Sequence, residues 1–347
     1  MEEIRRTCIS CAKAYLFEEI LDIKNKQQEL SKEIIRKNPQ FLPFQKTLNE
    51  FVEALPLNTG GEEEIFLELS RRRFRNRRKR EAEFRANTDK TSKEKLAEIY
   101  EKYKNFINDE KRSFLAEYVT KRRSIIDLID RRTGLLESQE GKHYDEKLLH
   151  EIICPLGKTS DDLDYDQHNL WLIDDRLAFV SYFASDKRIN TQVSPSDSLK
   201  EPDLTAFYES SLAFRRKGET EPVVLVEFKK PGRDDYTGND NPVKQVIDYV
   251  SLFRDSNKKV KDKEGRVVNT INSSTRFICY ILADMMPTLE NVLRYTPIQH
   301  HTPDGVGRFG TMMYEPTYIE IIPYEKLIND AKLRNEIFFR KLGIEDI

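Results

Sequence analysis

The run Val223-Val224-Leu225-Val226-Glu227-Phe228-Lys229 constrains this chain most. Its valines have stiff χ1 angles that suit an extended backbone, and Pro222 in front and Pro231-Gly232 behind bound it as a strand. A second short apolar run, Leu204-Thr205-Ala206-Phe207-Tyr208, opens just after Asp203, and a charged turn joins the two. Together they read as a strand hairpin. Alternation puts Val223, Leu225, Glu227 and Lys229 on one side of the second strand and Val224, Val226 and Phe228 on the other. A carboxylate and an ammonium therefore stand together at the end of an otherwise apolar strand. Such a pair is more often a site than decoration; the alternative is a surface ion pair on an edge strand, worth little to stability.

Pro202-Asp203 followed by Glu227-Phe228-Lys229 resembles the PD-(D/E)xK nuclease motif, carried by the restriction-endonuclease-like fold. The resemblance implies an α/β core, a mixed central sheet flanked by helices. It makes Asp203 and Glu227 ligands of Mg²⁺, with Mn²⁺ able to substitute, and gives Lys229 the attacking water. The chemistry agrees independently: Mg²⁺ takes one or two carboxylates plus water and substrate phosphate, and stabilises the charge that builds on a phosphodiester under attack. Two adjacent carboxylates repel each other without a cation, and a lysine one strand period away can hold a water or steady the same charge.

The family commonly adds a glutamate from the first helix of the core. Glu151 on the helix read over 144–153 fits that position, with Glu146 as the fallback; the plain alternative is a solvated helix residue. A later helix in the family often offers a glutamine or a basic residue, which here implicates Gln245, one turn from Tyr249 on a helix opened by Asn241-Pro242. An exposed glutamine is the competing reading. Lys230 and Arg233, in the loop after the motif strand, are candidate contacts to the scissile strand's phosphates.

Residues 1–140 read as a helical region and 141–347 as the nuclease domain, with the junction at 134–142. A chain of 347 residues, 38% hydrophobic, has room for about two domains and a real core. Helical periodicity runs through Ile9, Ala12, Leu16, Ile20 and Ile23, breaks at Pro39 and Pro43, and resumes over 45–55, 62–86 and 92–132. The last helix carries Leu96, Ile99, Tyr103, Phe106, Tyr118, Ile125 and Ile129 at helical spacing. So long an amphipathic helix wants a partner, as an antiparallel arm, a coiled coil or a dimerising bundle, and a homo-oligomer through these helices is expected.

The net charge is only −2, from 58 basic and 60 acidic residues, so local clusters decide how the chain meets a polyanion. The densest is 71–80, RRRFRNRRKR. Arg71, Arg72, Arg73 and Arg75 are candidate phosphate contacts, sequence-blind and salt-sensitive; alternatively the arginines pair with Glu62 to Glu64, Glu68, Glu81 and Glu83. No apolar run approaches a membrane span and the N-terminus lacks a signal-peptide core, so a soluble, cytoplasmic chain is expected. Cys8 and Cys11 form a lone C-x-x-C without a second ligand pair and read as reduced helix residues.

Residues 168–187, with the sole tryptophan, suit a packed helix or helix-turn; 276–283 and 318–322 read as strands, 297–303 and 305–310 as loops, and 324–342 as a final helix. His168 and the His300-His301 pair read as ordinary core and surface residues. The segments over 168–187 and 324–344 resemble those of bacterial proteins that join a GHKL-type ATPase to a C-terminal PD-(D/E)xK domain. That resemblance implies an ATPase partner in cis or in trans and a role in defence against foreign DNA. The expectation is a Mg²⁺-dependent DNA nuclease. Its rivals are a DNA-binding or scaffolding module with a degenerate nuclease fold, and a repair nuclease or resolvase acting on branched DNA.

Overall fold

The computed structural model describes residues 7, 16–88, 93–134, 146–164, 167–208, 222–254, 258–312 and 316–342. The chain divides into two compact units, Met1–Ser124 with Arg334–Ile347, and Ile125–Leu333.

The first unit is helical. Its helices are α1 (Phe17–Lys37), α2 (Leu48–Ala54), α3 (Glu62–Thr88) and most of α4, which spans Lys93–Gly134. Pro39 ends α1, and a 3₁₀ stretch over Pro39–Thr47 carries Pro43, because proline removes a backbone donor and clashes with the preceding turn. Ile34, Ile35, Phe41, Phe51, Ile65 and Leu69 form the core beneath these elements. The Gln27 amide donates to the carbonyls of Pro56 (2.8 Å) and Thr59 (2.7 Å), satisfying the turn before α3. Glu64 reaches back to the Gly60 N–H at 3.0 Å, the acidic half of a capping box.

The α4 stripe differs from the one expected. The buried residues are Ser113, Ala116, Val119, Arg122, Ile126 and Ile129, whereas Tyr118 is exposed and lies under the Arg122 guanidinium at 4.9 Å. The expected stripe mixed two helical phases, and the small residues Ser113 and Ala116, which let a neighbour approach closely, win. Ala116 and Val119 pack on Phe339. The side chains of Leu96, Ile99 and Tyr103, and the pair Cys8 and Cys11, lie outside the described residues.

The second unit is α/β. Among its described residues the strands are β1 (Tyr182–Ser185), β2 (Val193–Ser194), β3 (Leu204–Phe207), β4 (Val223–Phe228), β5 (Lys258–Lys261), β6 (Val267–Ile271), β7 (Phe277–Leu282), β8 (His300–His301), β9 (Arg308–Thr311) and β10 (Thr317–Ile322). Among the same residues a single helical turn forms over Ile189–Gln192, and the longer helices are α5 (Glu146–Ile153), α6 (Pro242–Arg254), α7 (Pro287–Leu293) and α8 (Tyr324–Leu342), the last of which passes into the first unit at Arg334. A seven-stranded mixed sheet runs β1-β3-β4-β7-β10-β9-β8, and β2-β5-β6 form a second, three-stranded sheet. β7 is parallel to both neighbours, β4 and β10, and the flanking pairs are antiparallel.

Both faces of the large sheet are covered. Val224, Val226 and Phe228 join Leu149 and Ile153 of α5 and Leu327 and Ile328 of α8. Val223 and Leu225 join Val246, Tyr249, Val250 and Phe253 of α6 on the other face. Burial on both faces is why the β4 run is apolar at consecutive positions.

Two sequence expectations fail here. Residues 168–187 form 3₁₀ turns at Leu170–Leu172 and Asp175–Phe179 and then the edge strand β1, whose four residues are all buried and so show no alternation to read. The segments read as loops over 297–303 and 305–310 contain β8 and β9, paired His300 with Phe309 and His301 with Arg308. Gly310 lies where a Cβ would stand 2.1 Å from the Pro297 carbonyl oxygen, so only glycine fits that crossing.

Candidate functional site

β3 and β4 pair with Leu204 opposite Val226, and continuing that register by one residue sets Asp203 opposite Glu227. Opposed residues of an antiparallel pair share a face, so both acids project on the side of α6. The Asp203 Oδ2 accepts the backbone N–H of Phe228 at 2.7 Å. Lys229, the next residue on that face of β4, donates from Nζ to Glu227 Oε1 at 2.7 Å. Asp203, Glu227 and Lys229 are thereby brought together at the β4 terminus.

The site is sealed on one side. Glu227 is 2% exposed and Lys229 7%, while Asp203 is half-buried. Burial pushes Asp203 up to about 8, with the neighbouring Glu227 charge adding to the shift and the Phe228 N–H opposing it. Burial also raises Glu227, against the pull of Lys229. Glu227 Oε2 is buried with no hydrogen-bond partner. An orphaned carboxylate oxygen beside a second carboxylate is a donor set suited to a hard divalent cation, which takes oxygen ligands and completes its shell with water and substrate. Among the described residues no three His, Cys, Asp or Glu side chains cluster as a ready-made metal site.

The two glutamates of α5 differ in placement. Glu146 is half-buried, and its charge raises both Asp203 and Glu227. Glu151 is exposed and instead holds the turn after its own helix, accepting the Leu156 N–H at 3.0 Å. The residue expected first is thus engaged beyond its own helix, while the fallback is the one whose charge reaches the acids. Helical phase explains it: Glu146 lies at the i, i+3, i+4, i+7 positions of Leu149, His150 and Ile153, the buried stripe of α5, and that pattern was available in the sequence.

Gln245 donates to the Tyr249 hydroxyl at 2.8 Å, which in turn donates to the Glu201 carbonyl at 3.2 Å. Burial raises the Tyr249 phenol, and the charges of Glu227 and Asp203 raise it further, so α6 presents this pair beside the acids. Lys230 is exposed. Arg233 is already committed within its loop: it pairs with Asp235 at 2.6 Å and with Asp240, and lies over the Tyr236 ring at 4.6 Å. Gly232 holds a positive φ of 65° that turns this loop, and its N–H donates to Asp284 Oδ2 at 2.8 Å.

In the helical unit the arginine run is largely internally paired. Arg71 and Arg75 reach Glu68 at 3.6 and 3.9 Å, and Arg73 reaches Glu110 at 3.3 Å. Arg72 lies over the Phe51 ring at 5.6 Å. Arg71 and Arg75 nonetheless keep 63% and 72% of their side chains exposed, and exposed pairs of this kind hold their partners weakly.

Sequence reasoning missed a buried polar layer behind the acids. The His150 ring stacks on Phe228 with centroids 4.5 Å apart and planes at 14°, and its Nε2 meets Ser185 Oγ at 2.9 Å. Burial pulls this imidazole down to about 4, so it is neutral near pH 7. The Tyr324 hydroxyl donates to the Lys229 carbonyl at 2.7 Å, anchoring the strand end from α8. No periodicity announces these roles, because each depends on long-range packing. A cavity of about 540 Å³ bordered by Arg276, Tyr280, Tyr318 and Glu320 lies at the opposite end of β7 and β10 and touches none of these groups.

Among the described residues no helix is long and apolar enough to cross a membrane. No protein-family model, no curated protein and no solved structure matches this chain.

Proposed function

We propose that this chain is a Mg²⁺-dependent deoxyribonuclease with a restriction-endonuclease-like core, hydrolysing phosphodiester bonds of DNA by in-line attack of water. One observation carries the reading: two carboxylates from paired strands, Asp203 and Glu227, meet beside Lys229 with a Glu227 oxygen left unsatisfied. A buried carboxylate oxygen without a partner is costly, and a bound cation would satisfy this one.

Asp203 and Glu227 would hold the metal, which when bound supplies positive charge against the charge building on the phosphoryl oxygens. Asp203 is aimed by the Phe228 N–H. Lys229 spends one of its N–H donors on Glu227, which leaves others for a water or a phosphate oxygen. Glu146 adds a carboxylate within electrostatic reach that can accept a proton from that water. Gln245 orients Tyr249 and stands ready to bond substrate, and exposed Lys230 meets backbone phosphate. The family resemblance extends the proposal to defence against foreign DNA and to a GHKL-type ATPase acting in cis or in trans, and the long α4 helix supports self-association.

Supercoiled plasmid incubated with Mg²⁺ and purified protein tests the reaction, beside Asp203→Asn and Lys229→Ala. Conversion to open-circular or linear DNA by the wild type alone supports it. Retained binding without cleavage in Mg²⁺ or Mn²⁺ would assign the chain to DNA binding or scaffolding, and cleavage confined to branched substrates would mark a resolvase.

A further inference from the structure

We propose that His150 is the positioning residue of the acidic pair, fixing the Asp203 carboxylate against Glu227 and so setting the affinity of the site for its cation; this rests on the metal-site reading above. The ring reaches Asp203 along two routes. It stacks flat on Phe228 at 4.5 Å, and the Phe228 N–H is the donor that holds Asp203 Oδ2 at 2.7 Å. Through Nε2 it holds Ser185 Oγ at 2.9 Å, and Ser185 is registered with Leu204, the residue that follows Asp203.

The imidazole therefore ties β1, β3 and β4 together at the one point where the acids emerge. It sits one turn after Glu146 on α5, so the same helical face that brings the third carboxylate to the site carries the ring. Two simpler roles fail. His150 is 3% exposed and Ser185 is fully buried, so neither can touch a substrate, and their contact is not a nucleophile and base. A ring that merely filled core volume would not need the Ser185 bond, and a phenyl group would serve as well.

That comparison supplies the test. His150→Phe keeps the stack on Phe228 and removes the hydrogen bond to Ser185; His150→Gln keeps a hydrogen-bonding group and removes the stack. For each, with the wild type, we would measure Mn²⁺ affinity by electron paramagnetic resonance, the Mg²⁺ half-saturation of plasmid cleavage, the rate at saturating metal, and the metal-free melting temperature. Groups that orient a ligand from behind are worth about 10- to 100-fold in metal affinity. His150→Phe is expected to weaken Mn²⁺ binding and raise the Mg²⁺ half-saturation by about that factor, while the rate at saturating metal stays within about threefold; His150→Gln should recover part of the loss. Variants that melt earlier but keep wild-type metal affinity and half-saturation would overturn the proposal and leave His150 a packing residue. A wild type that binds no Mn²⁺ and cleaves nothing would overturn both this proposal and the metal-site reading, so the two failures are distinguishable.

Discussion

Lys229 Nζ stands 2.7 Å from Glu227 Oε1, two residues away on the same face of β4, with 9% and 3% of their side chains exposed. A buried pair of this kind adds little net stability as a pair but is costly to break, because removing one partner leaves a desolvated charge behind.

Lys229→Met should accordingly destabilise the protein by about 3–5 kcal/mol near neutral pH and abolish cleavage. The double variant Glu227→Gln/Lys229→Met should regain most of the melting temperature without regaining activity. Urea denaturation of the three proteins checks this, and a single variant as stable as the wild type would show that the pair is not desolvated.

The raised Asp203 carboxyl gives a pH dependence with a definite sign. Its folded value of about 8 lies above its ordinary 3.8, so the folded protein binds the extra proton. The associated stability is fully present below about pH 4 and drains away as pH rises through about 8. Metal-free protein should melt at falling temperature across that window, and Mg²⁺ should flatten the decline by taking the proton's place. Titration calorimetry at pH 7, repeated in buffers of different ionisation enthalpy, should show proton release on Mg²⁺ binding. Heats independent of the buffer would contradict the assignment.

The α5 glutamates give a paired prediction. Glu146→Gln should slow cleavage by about 10²-fold or more, the scale of lost acid–base assistance. Glu151→Gln should leave the rate near wild type and lower the melting temperature slightly, since it only weakens an exposed hydrogen bond from the Leu156 N–H. The reverse order of effects would place the third carboxylate on the wrong side of the helix.

The hairpin was legible because Val223 to Val226 combine β-branched side chains with bounding prolines, and alternation then set Glu227 and Lys229 on one face. β7 and β10 were legible from their near-continuous apolar runs, α6 from the Asn241-Pro242 opening, and α8 from its amphipathic period. β1 was not: Tyr182–Ser185 is only four residues long and buried on both faces, so its aromatics read as a helix stripe. β8 and β9 owe their existence to pairing with each other and with β10, a long-range fact invisible in a segment full of turn residues. The phase of Glu146 with Leu149, His150 and Ile153 was present in the sequence, whereas the stacking of His150 on Phe228 joins residues on separate elements and could not be inferred from either.

For the helical unit, salt dependence separates decoration from binding. Arg71→Ser/Arg75→Ser removes the two exposed guanidiniums that pair with Glu68 and should flatten the log–log salt slope of DNA binding by about 2, since each phosphate contact contributes about 0.9. Fluorescence anisotropy at several salt concentrations reads the slope. An unchanged value would confine these arginines to the surface of α3.

Binding of Mn²⁺ to the wild type and to Asp203→Asn, followed by electron paramagnetic resonance in the absence of DNA, tests the central claim most directly. The account predicts a saturable site in the wild type whose affinity falls at least tenfold when Asp203 loses its charge. Equal binding by both proteins, or none by either, would contradict it.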